Sequence, residues 1–337
     1  MILNGYAVVA GSVALLRFIL GVSAAGAGLA ALVRLRRAST PEARSEVEHR
    51  VYLLVLLGFV LLGLTLVSWP LLYAVLYSYI PQWPGAMCIY GVMQVGAGGT
   101  GSSRHLPDLI RAAQVGAPLA LFLAGLFVSV YALHRHAETG RLLGVLVSLS
   151  ALVGLSSILD AAAVGAYLAV PKREGSLASG CCTLGQVRGA PPGAGAPAEP
   201  SWLLPAYYGL SAVLLLALQA CRLRRPADRW ALMALLGLAS LAAWVGAAFL
   251  REVFAPRVLG LPFHQCAYDL VQGAPETLPA VALFAWGTFC VGWAAAVGWI
   301  GKGLHHVGEQ VATLLGSGAI GYLYSIVVVS SALLAAG

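Results

Sequence analysis

Eight apolar stretches recur along this 337-residue chain, several reaching the roughly 20 residues that a helix needs to cross about 30 Å of hydrocarbon. They fall at about 7–33, 51–80, 117–133, 142–170, 205–221, 230–250, 281–301 and 319–336. No soluble globule can hide so many such segments, and 60% hydrophobic against 10% charged residues leaves too little polar surface to cover one. The segments are apolar all round and lack the two-residue alternation of a membrane β-barrel strand, so they read as helices. The expected fold is an all-α integral membrane protein of about eight transmembrane helices, forming a single polytopic domain over 1–337. The last span is short, and Gly316, Gly318 and Gly321 would let 303–315 lie along the membrane surface instead.

Charge sets the expected orientation. The connections 34–50, 134–141, 222–229 and 302–318 carry twelve Lys/Arg in 50 residues, and the loops 81–116, 171–204 and 251–280 carry seven in 100. Positive charge is retained on the cytoplasmic side during insertion, which places both termini and the three long loops outside. The net charge of +7 therefore reflects topology and contact with the lipid bilayer, and gives no reason to expect nucleic acid among the partners. Met1–Ala31 lacks a basic leader and is followed by Arg34, Arg36 and Arg37, so it reads as a retained helix and not as a cleaved signal.

Each of the three outer loops carries cysteine. Cys88-Ile-Tyr-Gly-Val, Cys182-Thr-Leu-Gly-Gln-Val and Cys266-Ala-Tyr-Asp-Leu-Val each follow an outbound helix, and each precedes a Leu-Pro step at 106–107, 204–205 or 278–279. The recurrence suggests three related helical hairpins, with a spare helix at each end. In an oxidising compartment Cys88, Cys181, Cys182 and Cys266 are candidates for two disulfides that tie the loops into a cap. Four cysteines allow three pairings, and spacing does not choose among them. A competing use is a soft-metal site for Cu(I) or zinc, with Met87 and His264 adding thioether and imidazole to the same four thiolates. Thiol redox chemistry with a membrane quinone is a third, although no Cys-x-x-Cys pair is present. Cofactors remain unassigned by the sequence.

Other motifs carry less. Gly96–Gly101 matches G-x-G-x-x-G but follows a polar loop where a dinucleotide fold needs a strand. His305 and Glu309 stand one helical turn apart on a juxtamembrane segment, the ordinary arrangement of a solvated helix face. Cys221 and Cys290 read as small packing side chains.

Two ionisable residues fall deep inside spans, Arg17 in the first and Asp160 in the fourth. A charge there costs at least about 2.5 to 3.5 kcal/mol on insertion scales, so each needs a partner. Counted inward from the outer ends, both stand at a similar depth, and an intramembrane ion pair is expected, with Ser156 and Ser157 supplying hydrogen bonds to the carboxylate. There is no nucleotide-binding domain pattern and no triad of catalytic residues. The reading favoured by the sequence is a non-enzymatic multi-pass subunit of an envelope complex or transport system in the inner membrane, with membrane or extracytoplasmic protein partners. The alternative is a thiol-redox or copper-class metal-handling protein.

Overall fold

A computed structural model describes residues 4–37, 41–83, 86, 88–96, 101–136, 142–170, 202–223, 228–260, 266–304 and 306–336. Among them are eight helices long and apolar enough to cross a membrane, and no strand. Large apolar side chains such as Leu15, Phe18, Val22, Leu159, Leu216 and Ile320 remain exposed on their outward faces. Such faces are tolerable only against lipid, so this is an all-α multi-pass membrane protein whose helices contact the bilayer.

The chain divides into two units, residues 1–179 and 180–337. The first contains α1 (Gly5–Arg37), α2 (Pro41–Tyr79), a short α3 (Ile89–Met93), α4 (Leu106–His136) and α5 (Leu143–Ala169). The long helices close a ring in which α1 packs on α2, α2 on α4, α4 on α5 and α5 back on α1. The α1 seam follows from its sequence: its buried residues are Ala7, Ala10, Ala14, Arg17, Gly21, Ala24, Gly28 and Ala31, alternating steps of three and four. That is a heptad stripe, the pattern of left-handed helix packing, built from small residues that let backbones approach. A Cβ added at Gly28 would stand 3.0 Å from the Ala151 backbone nitrogen, and one at Gly21 would stand 2.9 Å from the Gly154 carbonyl oxygen. Arg17 occupies a position in this stripe that every neighbour fills with Ala or Gly.

The second unit repeats the scheme. Its elements are α6 (Leu203–Leu223), α7 (Arg229–Phe249), α8 (Ala255–Val258), α9 (Ala267–Gly273), α10 (Thr277–Ile300) and α11 (Val307–Ala336), and its ring runs α6 on α7, α7 on α10, α10 on α11 and α11 on α6. A π-helical turn at Leu250–Phe254 joins α7 to α8 immediately before Pro256, which has no amide hydrogen to continue a regular ladder. The stripe returns on α11, where Val311, Leu315, Gly318, Tyr322, Ser325, Val329 and Ala332 are buried at alternating steps of four and three.

Three expectations change in detail. The third span starts at Leu106 and not near 117, because Pro107 occupies the first turn, where its missing N–H is no loss. Likewise Val307–Ala336 is one unbroken helix, not a surface segment followed by a short span. Gly316, Gly318 and Gly321 serve close packing there: Cβ atoms at 318 and 321 would stand 3.1 Å from Cys290 Cβ and 2.7 Å from the Leu283 carbonyl oxygen. Finally, the grouping into two four-helix units is not contained in the three-hairpin pattern. Leu106-Pro107 and Leu278-Pro279 open the third long helix of their units, whereas Leu204-Pro205 opens the first helix of the second.

Candidate functional site

Arg17 and Asp160 meet in the first unit. Antiparallel α1 and α5 bring them to one level, with Arg17 Nη1 2.5 Å from Asp160 Oδ2 and both side chains essentially inaccessible to solvent. Arg17 Nη1 also donates to Ser68 Oγ on α2 at 2.7 Å, and Ser68 in turn donates to the Thr65 carbonyl at 3.2 Å. Three helices thus converge on one guanidinium. Removal of a lone charge from water costs several kcal/mol, which makes mutual neutralisation the condition for either residue to be buried.

The serines beside Asp160 do not take the role expected of them. Ser156 Oγ donates to the Val153 carbonyl at 3.0 Å, and Ser157 Oγ makes no hydrogen bond among the described residues. The Cα–Cβ bonds of a helix lean toward its N-terminus, so these hydroxyls are aimed back down α5, away from a residue that follows them. The hydroxyl that completes the site comes from Ser68, 51 positions from Arg17 in sequence. Nothing local to either charged residue points to it.

Gly116 of α4 makes room for the carboxylate. A Cβ at this position would stand 2.9 Å from Asp160 Oδ1 and 3.2 Å from its Cβ. Gly116→Ala is therefore expected to push the carboxylate against the pair and lower stability by about 1 to 3 kcal/mol, the usual range for an overpacked contact. Thermal unfolding of the purified variant checks this, with Gly63→Ala as the control because nothing lies within 4 Å of that position.

The second unit has a neutral counterpart. Tyr322 on its fourth long helix packs its ring over Gly287 of the third, and its hydroxyl lies 2.9 Å from Thr288 Oγ1. Thr288 Oγ1 is itself 3.1 Å from the Phe284 carbonyl, to which it donates, so the Tyr322 hydroxyl is the donor to Thr288. Gly116 follows Pro107 by nine residues, and Thr288 follows Pro279 by nine. Each position is met from the fourth long helix of its unit, Gly116 by a carboxylate and Thr288 by a phenol.

The loop cysteines are also placed alike. Cys88 is the N-cap residue of α3 and Cys266 that of α9, each between the second and third long helices of its unit, and both are buried. Met87, Cys181, Cys182 and His264 lie outside the described residues, as does His305. Glu309 lies 3.9 Å from His306 Nδ1, with both side chains exposed. Cys290 is fully buried, packed on Gly318. Gly96, with φ +93°, ends the turn after α3 with no strand before it, contrary to what a dinucleotide-binding motif requires.

Fold and site define a polytopic helical membrane protein with, among the described residues, one charged intramembrane pair. Comparison adds nothing more specific: no family model, curated protein or solved structure matches the chain.

Proposed function

We propose that this protein is a non-enzymatic subunit of an envelope complex or transport system in a bacterial-type cytoplasmic membrane, with an extracytoplasmic cap tied by disulfides that contacts its partners. The supporting observation is the burial of both Cys88 and Cys266 at matching places in the two units. Thiol exchange requires an accessible thiolate, so burial at both places speaks for a structural use over a redox cycle. Cys181 and Cys182 are the partners this reading assigns to them. Cys221 and Cys290, thiols within the spans, have no part in it.

Differential alkylation with peptide mapping tests the cap. In denaturant without reductant, Cys221 and Cys290 are expected to react while Cys88, Cys181, Cys182 and Cys266 stay blocked until reductant is added. Denaturant removes burial as a reason for silence. Six reactive thiols in unreduced protein would end the disulfide cap. Copper or zinc released in stoichiometric amount, together with newly reactive thiols, would replace it with the soft-metal reading.

A further inference from the structure

The Arg17–Asp160 pair leaves part of its hydrogen-bonding capacity unused. Arg17 Nε and Nη2 and Asp160 Oδ1 are all buried without a partner among the described residues. Arg17 is 0% exposed and Asp160 2%. Nε and Nη2 form one edge of the guanidinium fork, the edge that binds oxygen in bidentate fashion. The set contains donors and an acceptor together. A bare anion satisfies only the donors and a bare cation only the carboxylate. Water satisfies both, and a polar buried site that offers two to four partners is where internal water resides.

A second observation supplies access. A groove of about 650 Å³ opens between the N-terminal part of α1 and the C-terminal part of α2, lined by Asn4, Tyr6, Val9, Leu71, Ser78 and Gln82. Asn4 Nδ2 donates to Ser78 Oγ at 2.6 Å at its polar end. Ser78, Leu71 and Ser68 are separated by seven and three residues, so they share one face of α2. Leu71 is about 4.5 Å of helix rise from Ser68, and Val9 about 12 Å from Arg17. The groove thus lies along the same α1–α2 seam as the ion pair and ends about one turn of α2 short of Ser68.

We propose that the first unit binds water at the Arg17–Asp160 pair, supplied through the α1–α2 groove, and that this water exchanges protons with the Asp160 carboxylate. In the forward step hydronium gives its proton to Asp160 Oδ1, forming the O–H bond and leaving water; the reverse step returns it. Arg17 stays cationic throughout and no electrons move. Among the described groups, α1 faces the carboxylate with Arg17 and α2 brings Ser68, with Tyr73 and Tyr79 farther out. From α4 comes Gly116, whose helix carries Asp108 and Arg111 exposed at its outer end. Among the described residues of the second unit, Tyr322 and Thr288 meet between its third and fourth long helices and no carboxylate is ion-paired within its spans, so the exchange is assigned to the first unit.

Infrared difference spectroscopy on the full chain tests this, with water itself as the probe, exchanged for D2O and acidified in steps while the helical amide signal stays constant. A protonated-carboxyl band is expected to grow on acidification and to shift in D2O. It should move in frequency in Asp160→Glu, a variant that keeps the charge if Asp160→Asn fails to fold. A carboxyl at position 160 that responds to neither acid nor D2O overturns the proposal. Leu71→Trp, which fills the groove without touching the pair, is expected to slow the D2O response severalfold. An unchanged rate overturns the supply route and the proposal with it.

Discussion

Asp160→Asn is expected to destabilise the protein in detergent or bilayer by about 3 to 5 kcal/mol, the loss typical when one partner of a buried ion pair is removed. The reason is what remains. Arg17 is fully buried, and a guanidinium does not shed its proton, so the uncompensated charge has nowhere to go. Arg17→Met is expected to be milder, because a stranded carboxylate becomes neutral by taking up a proton. The two variants then differ in their response to pH: acidification relieves Arg17→Met and leaves Asp160→Asn unchanged. Replacing both, as Arg17→Met with Asp160→Leu, should recover most of the loss, since a well-packed apolar pair often equals a buried ionic one. Exchanging the charges is the stricter comparison. If Arg17→Asp and Asp160→Arg are each defective and the double exchange is no better, direct pairing is not what the fold depends on. Thermal unfolding and yield of monodisperse protein provide the measurements.

The second large effect is expected at Gly154, through backbone contact instead of charge. A Cβ on residue 154 would stand 2.5 Å from the Ala25 nitrogen and 2.7 Å from the Gly21 carbonyl oxygen. Neither atom can swing aside as a side-chain tip does. Gly154→Ala must therefore part α1 from α5, at the upper end of the roughly 1 to 3 kcal/mol range for overpacking or beyond it. Gly154 precedes Asp160 by six residues and Gly21 follows Arg17 by four, so separation of the helices also stretches the ion pair. Gly154→Ala and Asp160→Asn should consequently be non-additive, with the double variant less damaged than the sum of the singles. Gly165→Ala on the same helix has nothing within 4 Å and should be neutral, or stabilising by up to about 1 kcal/mol from helix propensity. Equal losses at 154 and 165 would contradict this account.

Much of this was legible before any coordinates. Hydropathy located all eight spans, because the bilayer demands about 20 apolar residues regardless of what packs where. The heptad of Ala7, Ala10, Ala14, Arg17, Gly21, Ala24, Gly28 and Ala31 was also in plain view, and read as a stripe it would have shown that Arg17 sits in a packing seam. The start of α4 was misplaced because Asp108 and Arg111 break the hydropathy of a helix that nevertheless continues to Leu106. The three Leu-Pro steps looked equivalent because helix starts share chemistry whatever their place in the ring.

The sequence by itself determined the class: apolar length dictates membrane-spanning helices, and two charges inside them dictate that each must be neutralised nearby. Only the tertiary structure decided that the helices gather into two four-membered rings, that Ser68 and Gly116 complete the charged site, and that Tyr322 meets Thr288 in the second unit. The physical reason is the range of the forces involved. Insertion into lipid depends on local composition, which each segment states for itself. Hydrogen bonds and close backbone contacts act over a few ångströms between residues tens or more than a hundred positions apart, as from Arg17 to Ser68 and to Asp160, so they exist only once the helices have met.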